Sequence, residues 1–175
     1  MTAVRPRISV YIAHSVDGYI ADAEGSLDWL FARAGTEDYG HADFMADIDG
    51  LAMGRGTWDF IADEPDLPFE GRPVYVFTGR VAPPRDGVEF WSRTPAQAVA
   101  EWEAAGLRHV YVDGGRLISE FLAAGLVDDL TLTVVPVLLG AGARLFHENP
   151  ALTPLRLVSA TPYPNGFVQL RYDRA

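Results

Sequence analysis

The chain contains no cysteine among its 175 residues, which excludes disulfide bridges and thiolate chemistry. The common zinc sites with cysteine ligands are excluded as well. No apolar run reaches the roughly 18 residues that a membrane-spanning helix needs, and the start of the chain lacks the long apolar core of a signal peptide. We therefore expect a soluble protein without a membrane partner, and a cytoplasmic location is compatible with these absences.

Positive charge is also scarce. The sequence has 14 basic and 24 acidic side chains, giving a net charge of −10 that repels nucleic acid. An anionic ligand must therefore be held by cations placed close to it. No cluster of histidine and carboxylate residues predicts a metal site.

Internal repeats and low-complexity segments are absent, and 49% of the residues are hydrophobic, which argues against disorder. A chain of this length buries roughly 70% of its unfolded surface as one domain, so we expect a single domain over residues 1–175. The most linker-like segment, 63–73, has three prolines and four acidic residues, and apolar segments on both sides favour a surface loop.

Short apolar runs alternate with helical patterns, which is typical of an α/β fold with a largely parallel sheet. The tail has strand-like segments with no helix between them, and this predicts an antiparallel edge. The sequence thus predicts a mixed, mostly parallel sheet of about eight strands with flanking helices. Predicted strands are 7–13, 50–53, 73–78, 88–90, 109–113, 129–139, 155–160 and 167–172; predicted helices are 37–47, 94–106 and 116–124.

Three predicted strands end in small or hydroxyl residues followed at once by arginine. The arginines are Arg55, Arg80 and Arg116. In open α/β sheets, ligands bind beyond the carboxyl ends of the strands, where glycine lets the backbone approach a phosphate and guanidinium groups bind it. A dinucleotide has several phosphates, and three such strand ends could bind it together. The alternative is that these are ordinary turn and surface residues.

Other nucleotide and hydrolase fingerprints are missing, including G-x-G-x-x-G after the first strand, the P-loop and the G-x-S-x-G elbow. Six segments, in order, instead resemble the dihydrofolate reductase-like superfamily. Specifically, they are similar to stand-alone relatives of the reductase domain of the bifunctional riboflavin-pathway deaminase-reductase. They cover nearly the whole chain: ISVYIAHSVDGYIA, SLDWL, IDGLAMGRGTW, PVYVFTGR, VYVDGGRLISEFL and LTLTVVPVLLGAG.

This resemblance implies an NADPH-dependent reductase that transfers hydride to a pyrimidine- or pterin-like heterocycle and that is similar to the 5-amino-6-(5-phosphoribosylamino)uracil reductase of riboflavin biosynthesis. Two alternatives remain open: dihydrofolate reductase proper, and a nucleotide-binding module without catalysis. Since such reductases are often dimers and the last strands are apolar, a homodimer is expected.

The resemblance also implies residue roles on the cofactor side. The two glycines after the strand that ends at Asp113 are implied to share a cis peptide bond. The positions implied to contact the nicotinamide half are Ala13 and Ile20; those for the pyrophosphate and adenosine phosphates are Gly54, Arg55, Thr57, Thr78, Arg80, Gly114, Gly115, Arg116 and Leu117.

On the substrate side, the resemblance places Asp38 at the carboxylate that anchors and helps to protonate the heterocycle. Helical spacing agrees, and a partly buried carboxylate there would have a raised pKa. The alternative is an acid that only stabilises a helix start. Thr133 resembles a threonine that hydrogen-bonds this carboxylate and Trp29 a tryptophan lining the pocket, but either residue suits plain strand or core structure.

The chain departs from the bifunctional relatives in two ways. It lacks the zinc-binding sequence motifs of the deaminase half, H-x-E and P-C-x-x-C, so deamination is not expected. It also shows no second basic cluster for the ribosyl phosphate that pathway reductases bind.

Overall fold

The structure, a computed structural model, describes residues 5–148 and 152–175. No helix in these residues is long and apolar enough to span a bilayer. The strands are β1 (Arg7–Ser15), β2 (Tyr19–Ala21), β3 (Gly50–Gly54), β4 (Val74–Phe77), β5 (Val88–Trp91), β6 (His109–Asp113), β7 (Asp129–Val135), β8 (Ala143–Arg144), β9 (Leu155–Pro162) and β10 (Val168–Arg174). The helices are α1 (Asp28–Phe31), α2 (His41–Ala46), α3 (Arg55–Ile61), α4 (Pro95–Ala104) and α5 (Gly115–Ala123).

The described residues form a central sheet of eight strands in the order β5-β4-β3-β6-β1-β7-β10-β9. Neighbouring strands from β5 to β7 are parallel, whereas β10 pairs antiparallel with both β7 and β9. The predicted α/β fold with a mostly parallel sheet and an antiparallel carboxyl-terminal edge is therefore confirmed. Its consequence for function is that six parallel strands, β1, β3 to β6 and β7, end along one side of the sheet.

The helix that joins β5 to β6 begins as the sequence predicts. Thr94 and Gln97 form a reciprocal capping box, and Pro95 occupies the first turn of α4. Its buried face carries Trp102, which is fully inaccessible and stacks against Phe121 of α5 with ring centroids 5.9 Å apart. These contacts hold α4 and α5 against one face of the sheet.

The predicted helix over 37–47 is wrong in its extent, because α2 begins only at His41. Tyr39 and Gly40 have φ values of 56° and 82°, in the left-handed region that interrupts a right-handed helix. Asp38 therefore precedes the helix instead of lying within its first turn.

The last strands also differ from prediction at their ends. β7 ends at Val135 rather than at residue 139, and Pro136, which has no N–H to donate to a ladder, follows it. The predicted turn between β9 and β10 is confirmed by the bond from Gly166 N to Tyr163 O at 2.9 Å. Segment 63–73 is a surface loop, as predicted.

A second, two-stranded sheet joins β2 to β8 and was not predicted. Both strands are too short to give a periodic signal, and they lie more than 120 residues apart in the chain. We call this pair the small sheet. Its position beside the ends of β1 and β6 makes it one wall of the site described next.

Candidate functional site

A cavity of about 1070 Å³ runs along the carboxyl ends of the parallel strands. It extends from the end of β5 to β1, and the small sheet and α1 border its β1 end. Ligand crevices in open α/β sheets lie at this edge. All of the predicted cofactor positions line the cavity: Ala13, Ile20, Gly54, Arg55, Thr57, Thr78, Arg80, Gly114, Gly115, Arg116 and Leu117.

The turn between β6 and α5 is packed too closely for side chains. Gly114 has φ of +93°, and a Cβ on it would lie 2.7 Å from Thr57 Oγ1. A Cβ on Gly115 would lie 2.0 Å from the backbone oxygen of Arg144. These two glycines bring α3, α5 and the small sheet together. The described residues contain no cis peptide bond, so the implied cis link between the glycines is wrong, and the positive φ of Gly114 shapes the turn instead.

Arg55 is held in place by one ion pair and has a free donor. Its Nε donates to Asp59 Oδ1 at 2.6 Å, one turn further along α3. Its Nη1 is buried, and among the described residues it has no hydrogen-bond partner. A buried guanidinium N–H without a partner is costly, so this atom is available to an anionic ligand in the cavity.

Positive charge is concentrated at the cavity although the chain is acidic. Besides the three arginines that the sequence predicted there, Arg93 and Arg144 line it. Arg93 pairs with Glu101 at 2.6 Å and lies 5.4 Å from the ring centre of Trp91. Within the described part of the chain, Arg80 and Arg116 have no ion-pair partner. The cavity therefore offers unpaired cations to a ligand with several negative charges.

Asp113, which the sequence did not single out, is a carboxylate that lines this cavity, as Glu120 also does. It ends β6, accepts the Gly114 N–H at 2.8 Å and is partly buried. Burial raises the pKa of Asp113 to about 6, and the Gly114 hydrogen bond opposes this shift. The available signal was its place as the last residue of a parallel strand, at the edge where ligands bind.

Two tyrosines from adjacent strands line the same end of the cavity. The Tyr111 hydroxyl donates to the Tyr11 backbone oxygen at 2.8 Å, and the Tyr11 hydroxyl donates to Tyr39 O at 2.8 Å. Burial raises the pKa of Tyr11 to about 12. Burial also raises the pKa of Tyr111 well above its usual value, so both phenols stay protonated near neutral pH, and the two hydrogen bonds fix the orientation of their rings.

Asp38 does not lie in the cavity, and the expectation that it is partly buried with a raised pKa is wrong. It is exposed, and its carboxylate accepts the N–H groups of Gly40 at 2.9 Å and Ala42 at 3.1 Å. These backbone hydrogen bonds lower its pKa. The geometry is that of an acid stabilising the start of α2, which is the alternative that the sequence left open.

The other two predicted substrate residues also lie outside the cavity lining. Thr133 is buried in β7 and its Oγ1 accepts a hydrogen bond from Gln169 Nε2 at 3.3 Å. Trp29 is buried in a cluster with Val135 and Phe167. Both positions match the structural alternatives, strand and core. The α1 region instead presents Leu27 and Leu30 to the cavity.

Comparison with known proteins places this geometry in a family. Residues 6–169 match the sequence profile of the RibD C-terminal domain. The chain is 35% identical to the uncharacterised protein YwjB of Bacillus subtilis (strain 168) over 169 residues, covering 95% of this chain and 97% of that protein. It is 33% identical to the riboflavin biosynthesis protein RibD of Corynebacterium ammoniagenes over 174 residues, covering 89% of this chain but only 50% of that protein.

A solved structure supports the same assignment. The crystal structure of a candidate riboflavin biosynthesis protein from Shewanella sp. PV-4 superimposes with a TM-score of 0.89 and 32% identity, covering 97% of this chain and 99% of that chain. Sequence and backbone thus agree over nearly the whole length. The resemblance that the six segments carry is confirmed, and this chain belongs to the RibD C-terminal domain family.

Proposed function

We propose that this protein is an NADPH-dependent reductase that transfers hydride to a pyrimidine- or pterin-like heterocyclic substrate, similar to the reductase domain of riboflavin biosynthesis. The observation that carries the proposal is the convergence of three separate strand ends, each with an arginine, on one cavity. One ligand with several phosphates would engage all three ends at once. The proposal treats residues 1–175 as one domain, because strands from both halves of the chain share the central sheet.

The residues present fit NADPH by their donors and their shape. The buried Nη1 of Arg55 lacks a partner, and Gly54, Gly56 and Gly79 have no atom within 4 Å of where a Cβ would stand. Backbone can therefore approach a phosphate closely at these strand ends. Arg55, Arg80 and Arg116 would bind the phosphates, and Ala13 and Ile20 would flank the nicotinamide.

When bound, NADPH supplies a hydride. The chain itself must then bind the acceptor, keep water out and provide a proton. Asp113 is the cavity carboxyl group whose pKa, about 6, lies near working pH, as a proton donor requires. Tyr11, Tyr111 and Leu30 form the neutral walls at this end of the cavity, suited to a flat heterocycle.

The direct test is the oxidation of NADPH, followed by absorbance, with purified protein and a panel of acceptors. Turnover of 5-amino-6-(5-phosphoribosylamino)uracil would support the riboflavin-type reaction. A useful rate with dihydrofolate would favour a folate reductase. Tight NADPH binding without hydride transfer to any acceptor would contradict the proposed catalysis. It would support the alternative that the protein is a nucleotide-binding module.

We also propose that the protein is a homodimer that pairs through β9. This strand ends the central sheet, so one of its edges has no partner strand within the described residues. Leu155, Leu157 and Val158 are 39%, 55% and 48% exposed. A long apolar edge strand favours pairing with another strand, and a second copy of the chain presents the same edge.

A further inference from the structure

The turn between β1 and β2 is tied to a distant segment by one carboxylate. Asp17 Oδ2 accepts the N–H of Gly140 at 2.7 Å, and its Oδ1 accepts the N–H of Leu139 at 3.1 Å. The donors lie more than 120 residues further along the chain, just after β7. Hydrogen bonds to a carboxylate are stronger than those between neutral groups. Asp17 therefore bridges the two segments that lead into β2 and β8.

Asp17 is itself held by Ser15, the last residue of β1. The fully buried Ser15 hydroxyl donates to Asp17 Oδ1 at 2.6 Å and accepts the Tyr19 N–H at 2.9 Å. This hydroxyl, followed by the backbone donors, lowers the pKa of Asp17 to about 2. The carboxylate is thus charged, and its geometry is fixed from the β1 side and from the β7 side.

The segments joined by Asp17 build a wall of the cavity. The Leu145 N–H donates to Gly18 O at 2.9 Å, next to the pairing of Tyr19 with Arg144 in the small sheet. Ile20 and Ala21 of β2 and Ala143 and Arg144 of β8 all line the cavity, whereas Asp17 does not. Any effect of Asp17 on a ligand must therefore pass through the small sheet.

We infer that Asp17 is a positioning residue that holds the small sheet in place, so that Ile20 and Arg144 face the bound cofactor. This inference rests on the proposed function for its ligand. Without the hydrogen bonds of Asp17, β2 and β8 become more mobile, and a ligand then has to order both strands when it binds, at a cost in conformational entropy. The affinity for the ligand therefore falls although the ligand loses no direct contact.

The test is Asp17→Asn in the full chain. The substitution keeps the size of the side chain, removes its charge and turns an NH₂ group toward N–H donors. We expect faster hydrogen exchange at the amides of Leu139, Gly140 and Leu145, the last of which donates to Gly18 O, than in the wild type, with the central strands unchanged. We also expect NADPH to bind about tenfold more weakly, as a typical coupling between sites gives, and the KM for NADPH to rise while kcat changes little.

Asp22→Asn is the matched control. Asp22 also accepts two backbone N–H groups, those of Glu24 and Ser26, but both lie within its own loop. It should leave NADPH affinity and exchange at Leu139 and Gly140 unchanged. Ser15→Ala provides a second variant, and it should change both readouts in the same direction as Asp17→Asn.

Three results would overturn the inference. If the Leu139 and Gly140 amides exchange at the wild-type rate in Asp17→Asn, then the hydrogen bonds of Asp17 do not stabilise this segment. Faster exchange with unchanged NADPH affinity would reduce Asp17 to a purely structural residue. If the wild type binds no NADPH, the proposed function fails separately, and wild-type exchange at the Leu145 amide in Asp17→Asn then overturns the positioning role by itself.

Discussion

Gly115 of α5 and Arg144 of β8 touch through their backbones, so closely that a Cβ on Gly115 would lie 2.0 Å from the Arg144 oxygen. The contact joins the helix that follows β6 to the small sheet. It fixes the distance between two walls of the cavity, one from the middle of the chain and one from near its end.

Gly115→Ala should therefore force the backbones apart. Because the clashing atom belongs to backbone, we expect the free energy of unfolding to fall by about 1–3 kcal/mol, as overpacking does. NADPH binding should weaken as well. Gly35→Ala is the control, since a Cβ on Gly35 would meet only the Tyr39 hydroxyl at an ordinary 3.9 Å and Gly35 lies outside the cavity lining. Equal melting temperatures for Gly115→Ala and the wild type would refute the contact.

Arg55→Ala and Arg80→Ala should each weaken NADPH more than NADH. Both arginines line the cavity, and both are assigned here to phosphate. A lost charge-assisted hydrogen bond costs about 1.5–3 kcal/mol, or roughly tenfold to a hundredfold in affinity. The surface pair of Arg55 with Asp59 contributes little by comparison.

The control for these two variants is Arg108→Ala, which removes the same charge from a side chain that is 87% exposed at the start of β6. Calorimetric titration with both cofactors provides the measurement. Equal losses for NADPH and NADH would contradict the assignment of the phosphate to these arginines.

The pKa of Asp113 predicts how reduction depends on pH. Because burial raises this pKa to about 6, the carboxyl group is a proton donor below that pH. We expect kcat/KM to fall as the pH rises through about 6, approaching tenfold for each further pH unit. Asp113→Asn should be slow at every pH. A flat profile in the wild type would contradict the role of Asp113.

Asp113 also makes the stability of the folded state depend on pH. Its folded pKa lies above the unfolded value of 3.8, so the folded state binds the proton more tightly. Stability from this group is fully present below pH 3.8 and is lost as the pH rises to about 6. Asp113→Asn should therefore be more stable relative to the wild type at pH 8 than at pH 4, as measured by denaturant unfolding.

Asp38→Asn should show the opposite pH dependence of stability to Asp113→Asn, and it should leave catalysis unchanged. Its lowered pKa means that the charged form stabilises the folded state above pH 3.8 and that this stability is lost at more acid pH. We expect a lower melting temperature than the wild type at pH 7 and no difference at strongly acid pH. A large loss of kcat would restore the catalytic role that the sequence suggested.

Leu157→Glu should convert a dimer into monomers. It places a charge on the free edge of β9, where an adjacent copy would pair. Leu138→Glu is the control, because Leu138 is 71% exposed but lies in the loop after β7. Light scattering coupled to size exclusion measures the mass. A monomeric wild type, or an unchanged mass for Leu157→Glu, would contradict the proposed interface.

The proposed cofactor residues line the cavity and the proposed substrate residues do not, and the reason for this difference is physical. Gly54, Arg55 and Gly115 lie directly at strand ends, so their location follows once the parallel strands are recognised. Asp38 was placed by the family resemblance with helical spacing in agreement, and the spacing argument failed because Tyr39 and Gly40 adopt left-handed conformations, so that the helix begins only after them. Such local conformations leave little trace in hydrophobic periodicity.

The small sheet could not be predicted from pattern. β2 has three residues and β8 has two, and the contacts that join their segments, among them the bridge at Asp17 and the contact at Gly115, link residues far apart in the chain. Arg144 was missed for the same reason. It lines the cavity because two distant segments pair, and no local sequence pattern predicts that pairing.

The most direct test of the account is hydrogen exchange of the wild-type protein with and without saturating NADPH. If one cofactor binds all three strand ends, then exchange should slow together at residues 54–57, 78–80 and 114–117, while β9 stays unchanged. Slowing at one of these segments alone, or at none, would contradict the claim that they form a single cofactor site.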